Sequence, residues 1–156
     1  MVRRGDEGGA IVEFIGMSLL LLVPLVYLIV AFSRIQAAAY AADLAAQEAA
    51  RTSVVVGVSA LGDGAARSHA MIEAESRAAA VLAFSLENFG FRPEDGELSL
   101  ACSPAPCLAP GSDIIATVEV EIGLPGVPGF IRSWLPLKID VSAEATSSVD
   151  DFARAR

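Results

Sequence analysis

The chain has 156 residues, 54% of them hydrophobic and 19% charged, with a formal net charge of −8. That length holds one globular domain at most once an apolar anchor is subtracted. An acidic chain with no basic run longer than Arg3-Arg4 lacks the cationic stripe that phosphate backbones require, so nucleic acid is not an expected partner.

The first element is apolar. Gly8-Gly9-Ala10-Ile11-Val12-Glu13-Phe14 leads into twenty consecutive residues, Phe14 to Ser33, without a formal charge. At ~1.5 Å rise per residue such a run spans about 30 Å as a helix, the thickness of a bilayer's hydrocarbon core. Pro24 falls in mid-span and should kink the helix mildly, which transmembrane helices tolerate. Arg3 and Arg4 before the run, against Arg34 after it, favour a cytoplasmic N-terminus with the rest of the chain outside the cytoplasm.

Three readings of this segment compete. One is a secretory signal peptide cut near Ala37-Ala38-Ala39, although its apolar core would exceed the usual ~7–15 residues. Another is a plain uncleaved anchor. The third turns on Glu13, because a charge in hydrocarbon costs on the order of several kcal/mol and an anchor alone does not need one. Its plainest explanation is an interfacial acid near a helix N-terminus.

A short charged leader ending in Gly8, four residues, then Glu13-Phe14 at the head of a long apolar helix resembles a type IV prepilin processing site. The Glu-Phe form, the leader of eight residues and the small chain resemble the TadE/TadF-like minor pilins (pseudopilins) of the tight-adherence pilus. The resemblance is close to about Val55 and extends beyond it only in layout. It implies that a membrane-embedded aspartyl prepilin peptidase cuts between Gly8 and Gly9 on the cytoplasmic face, making Glu13 and Phe14 the fifth and sixth mature residues. Glycine at the cut lets a protease approach the backbone closely. The new ammonium could pair with a neighbouring subunit's Glu13, the kind of partner a lipid-facing acid requires. The implied partners are the prepilin peptidase, other pilin subunits, the pilus assembly platform and the membrane. The implied location is the cell membrane in a single pass, or a surface pilus.

The helical pattern continues past Arg34. Ile35, Ala38, Ala42, Ala45, Ala49, Thr52 and Val56 recur at spacings of three and four, while Asp43, Glu48 and Arg51 fall off that stripe. Alanine is the best intrinsic helix former, and a seam of small residues permits close helix approach. The pattern predicts one helix over about 10–56, a long stalk entering a head as in type IV pilin-like proteins, weakened at Val54-Val55-Val56-Gly57. Gly62-Asp63-Gly64 reads as a turn. A second helix is expected over 65–88, with Ile72, Ala79, Leu82, Leu86 and Phe89 near one face and Gly90 as its C-terminal cap. The two would form an antiparallel hairpin whose alanine faces meet.

After Arg92-Pro93-Glu94-Asp95-Gly96 the period changes to two. Leu98, Leu100 and Cys102 alternate with polar or small residues, as do Val118, Val120 and Ile122 with Thr117, Glu119 and Glu121. Leu137, Ile139, Val141 and Ala143 alternate with Lys138, Asp140, Ser142 and Glu144. One wet face and one apolar face mark an antiparallel sheet. The expected fold is therefore α+β: a long N-terminal transmembrane helix continuing into a helical hairpin packed on a small three-stranded antiparallel sheet. In domains this reads as a leader over 1–8, a transmembrane helix over 9–33, an extracytoplasmic head over 34–149 and a fraying tail over 150–156.

Cys102 and Cys107 flank Ser103-Pro104-Ala105-Pro106 in the first inter-strand loop. Outside the cytoplasm, so close a pair reads as a disulfide, whose short loop contributes only about 2 kcal/mol by the entropy model. No second cysteine pair or histidine cluster completes a metal site, and the spacing is not that of a Cys-x-x-Cys redox motif. The second loop is rich in Pro and Gly yet apolar. Phe130, Ile131, Trp134 and Leu135 in it form either a lid over the core or an exposed contact patch. His69 sits on the second predicted helix without a nucleophile or orienting acid, Asp6 and Asp63 match no phosphate loop, and Glu73 and Glu75 point to different helix faces. Neither enzymatic activity nor a cofactor is expected.

Overall fold

Alanine decides the first helix. The computed structural model describes residues 7–123 and 138–151, and α1 (Glu7–Gly62) runs unbroken through Pro24. It starts earlier and ends later than the pattern over 10–56 indicates. Val54-Val55-Val56-Gly57 does not weaken it enough to stop it, because this turn is packed. Val54 and Val56 are half-buried and Gly57 is buried, the last against the Leu108 side chain.

Two glycines stop the helices. After α1, the Gly64 N–H donates to the Leu61 carbonyl and the Ala65 N–H to the Ala60 carbonyl, with Gly64 at φ +88°. After α2 (Arg67–Asn88), the Gly90 N–H donates to Glu87 and the Phe91 N–H to Leu86, with Gly90 at φ +76°. Both are Schellman ends, in which the left-handed residue after the cap is almost always glycine. The accompanying apolar contact of the second is Phe91 in the same core cluster as Leu86.

The chain divides into two compact units, Met1–Arg34 and Ile35–Arg156. In the first, the described large apolar side chains from Ile11 to Phe32 are all exposed. They have no protein core to enter.

In the second unit, a 3-10 turn, η1 (Pro93–Asp95), precedes β1 (Gly96–Ser103), β2 (Asp113–Gly123) and β3 (Lys138–Ser148). The strands form one antiparallel sheet in the order β1-β2-β3. Leu98 lies opposite Val118 and Val118 opposite Ala143, so one face collects the apolar set of all three strands. Ile114, Ala116, Val118, Val120 and Ile122 of the central strand are buried, whereas the same face of β1 and β3 is half-buried. The α+β architecture follows directly from this alternation.

Three clusters run along the hairpin. Ala38, Ala41, Ala42, Ala45 and Ala46 of α1 meet Leu82, Leu86, Phe91, Val118, Val120 and Ile122. Ala49, Ala50, Ala78 and Ala116 form the middle. Ala60, Ala70, Leu108 and Ile114 form the end beside the helix turn. The buried face of α2 is Ala70, Ala74, Ala78, Leu82, Ser85 and Leu86, rotated from the expected one: Ile72 is 64% exposed and Ala79 is also outside. The buried residues in the middle of the interface are all alanines, with Leu98 and Leu100 packed against them half-buried, and a branched side chain in place of an alanine would hold the helix away from its neighbours. Buried Ser53 satisfies its hydroxyl by donating to the Ala49 carbonyl at 2.7 Å, so it fits the same seam.

Candidate functional site

Within the first unit, α1 holds a window of 18 residues long and apolar enough to cross a membrane. Glu13 is exposed there, in a shallow groove lined by Ala10, Phe14, Met17, Ser18 and Leu21. Among the described residues no side chain pairs with it. At about 100° per residue, Gly9, Glu13 and Gly16 share one helix face. A Cβ at Gly9 or Gly16 would meet nothing within 4 Å, so the backbone on either side of the carboxylate is open to close approach. Gly8 and Gly9 lie in the first turns of α1, and Phe14 is 72% exposed beside Glu13. Ser33 caps its own hydroxyl by donating to the Ile29 carbonyl at 2.8 Å, which removes its desolvation problem in lipid.

In the second unit, Cys102 and Cys107 form the disulfide, with Cα atoms 5.4 Å apart. Sequence reasoning did not find what surrounds it. Leu108 follows directly at φ +61° and is 2% exposed. Its side chain fills the space above Gly57, where a Cβ would lie 2.6 Å from both Leu108 methyl carbons. Arg67, at the start of α2, donates from Nη1 to the Cys107 carbonyl at 2.5 Å. The one signal in the sequence was Gly57, an otherwise unfavourable residue inside a helix. The proposed patch of Phe130, Ile131, Trp134 and Leu135 lies outside the described residues.

The wet face of the sheet is acidic. Glu97 lies opposite Glu119 and Glu121 opposite Asp140. Lys138 Nζ reaches Glu121 Oε1 at 2.8 Å. Arg92 donates from Nη2 to Asp95 Oδ1 at 2.7 Å and from its backbone N–H to Asp95 Oδ2 at 3.0 Å, while Nη1 lies 3.2 Å from Glu94 Oε1. Partial burial pushes the Asp95 carboxyl up, but the two Arg92 hydrogen bonds and the guanidinium charge outweigh it and hold the carboxyl below its ordinary value. Among the described residues no group of three or more His, Cys, Asp or Glu is arranged to hold a metal ion.

The hairpin also leaves a groove of about 570 Å³ between α1 and α2, lined among others by Val55, Val56, Val81 and Phe84 with Glu73 and Arg77. His69 is exposed on α2, as are Glu73 and Glu75. No protein-family model, curated protein or solved structure matches the chain.

Proposed function

We propose that this chain is a structural subunit of the TadE/TadF-like minor pilin kind, cut between Gly8 and Gly9 by a prepilin peptidase and assembled with other pilin subunits. Its role is assembly rather than catalysis. The observation that carries the reading is Glu13, a carboxylate on an exposed apolar helix with no partner among the described residues. In hydrocarbon such a charge needs a cation or carries a penalty of roughly several kcal/mol. An α-ammonium at Gly9 of a neighbour supplies that cation, and the open backbone at Gly9 and Gly16 lets the neighbour come close. The N-terminus faces the cytoplasm and the head lies outside. Arg3 and Arg4 support that orientation through the positive-inside rule, and the disulfide supports an oxidising location for the head.

A second reading is a single-pass, membrane-anchored binding module that is never cut. Gly8 and Gly9 lie inside α1, and a helical segment is a poorer protease substrate than an extended one, which favours this alternative. N-terminal sequencing of the chain from cells that also express a prepilin peptidase decides between them. A start at Gly9 is expected. An uncut N-terminus would overturn processing in favour of the plain anchor, and a start near Tyr40 would mean secretion by a signal peptide.

A further inference from the structure

The turn end of the hairpin is held differently from the rest of the second unit. At the other end, Leu82, Leu86, Phe91, Val118, Val120 and Ile122 interlock with the alanines of α1, a cluster with many large apolar side chains. At the turn end, the buried set is Ala60, Ala70, Leu108 and Ile114. Leu108 and Ile114 are its large buried side chains, with Val54, Leu61, Met71 and Leu100 packed against them half-buried. Leu108 does not belong to a helix or strand; it directly follows the loop that the disulfide closes. Its backbone is left-handed at φ +61°, a conformation that L residues adopt only when their surroundings enforce it. Here the enforcing contacts are the covalent bond one residue earlier, the Arg67 hydrogen bond to the Cys107 carbonyl and the hydrogen-only notch at Gly57.

We propose that the Cys102–Cys107 disulfide is a redox latch for this end of the hairpin. Oxidised, it holds Leu108 over Gly57 and closes residues 54–71 onto the sheet. Reduced, it releases Leu108, and those residues open locally while the end built around Leu82, Leu86 and Phe91 stays folded. Such sub-global opening requires one region to be less stable than its neighbour, and the turn-end cluster is the smaller, with four buried residues against eleven. Both cysteines are half-buried and so within reach of a soluble reductant. In reduction by a water-soluble phosphine, the S–S bond breaks, both sulfurs become thiols, and the phosphine takes the oxygen of one water to become its oxide. The latch rests on the proposed function only in placing the head where such a bond persists. There it completes the hairpin after the head has left the reducing cytoplasm.

Hydrogen exchange of the full-length chain in detergent micelles, with and without the phosphine, tests this. Reduction should speed exchange of amides in 54–71 by about tenfold or more, as local opening does, and leave 38–46 and 118–122 unchanged. No change in 54–71, or an equal rise everywhere, would overturn the latch. Leu108→Ala keeps the disulfide and should expose 54–71 even when oxidised; persisting protection there would also sink the idea. A Cys102→Ser/Cys107→Ser chain should show fast exchange in 54–71 regardless of phosphine. If that variant fails to fold, the phosphine experiment on the folded native chain still decides. Because the measurement uses the purified chain, cut or uncut, its outcome is independent of whether the pilin reading survives.

Discussion

Gly57 sets two demands against each other. Alanine is better than glycine inside a helix by about 1 kcal/mol, so α1 alone would favour replacing it. A Cβ there, however, would lie 2.6 Å from both methyl carbons of Leu108 and 3.2 Å from its Cγ. Leu108 is 2% exposed and has nowhere to move without disturbing Ala60, Ala70 and Ile114. Overpacking of this kind costs typically ~1–3 kcal/mol, which exceeds the helical gain. Gly57→Ala should therefore lower the thermal unfolding midpoint of the oxidised chain. Gly62→Ala is the matched control, since a Cβ at Gly62 meets nothing within 4 Å; it should be neutral or mildly stabilising. Equal midpoints for the two variants would mean that Leu108 is not tightly seated. The same residue explains why the C-terminal limit of α1 was hard to read. A glycine after three valines looks like a helix breaker in sequence, and only the contact with Leu108 turns it into a packing notch.

Among the elements, the strands were the most legible, for a plain reason. A sheet with one wet and one dry face must alternate, and Glu119 and Glu121 between Val118, Val120 and Ile122 leave no other register in which the carboxylates stay solvated. The helices were legible in existence but not in orientation. Ile72 drew the predicted face of α2 toward itself because it is strongly apolar, yet the real face is an alanine run at spacing four. Alanine contributes too little hydrophobic signal to outvote an isoleucine in sequence, although in close packing it is the residue that fits. Glu13 stood out because it violates the composition around it, while the Leu108 notch depends on a tertiary contact that no local pattern encodes.

The short η1 turn carries an element-level prediction about pH. Arg92 bonds both oxygens of Asp95 and fastens the chain as it enters β1. Asp95 has its carboxyl held below the ordinary value of about 3.9 by the Arg92 hydrogen bonds and charge, against the opposing effect of burial. A carboxylate whose folded value is depressed stabilises the fold above its unfolded value, and that stability is lost as pH falls through the folded one. The native chain should thus melt higher than Asp95→Asn at neutral pH. The gap should close as pH drops below about 4, in the range set by the ordinary carboxylate. Melts across pH 2–7, taken at roughly 0.1 M salt to limit screening, check this. A gap independent of pH would mean that the Arg92 contact contributes geometry but not charge.

At the scale of the whole molecule, the unresolved energy is that of Glu13. The second unit is acidic overall, yet its charges sit in water or in local pairs: Lys138 answers Glu121, Arg92 answers Asp95, and no buried side-chain N or O atom among the described residues lacks a partner. Among the described residues of the first unit, Glu13 has no such partner. That unit's apolar side chains can be satisfied by lipid, but its carboxylate cannot. Glu13→Ala should insert at least as well as the native chain, because it removes a cost, and should still be cut after Gly8 if processing reads the glycine. What it should lose is incorporation into sheared fibres, by about tenfold or more, equivalent to ~1.4 kcal/mol of lost contact. Glu13→Gln separates the contributions: a neutral amide keeps hydrogen bonding but not charge, so on the ammonium-pairing account it should resemble Glu13→Ala rather than the native chain. Measuring the ratio of fibre to membrane pools for all three chains, each with its N-terminus sequenced, makes the comparison complete. Native-like incorporation of Glu13→Ala would return Glu13 to the role of an interfacial acid at the start of a plain anchor.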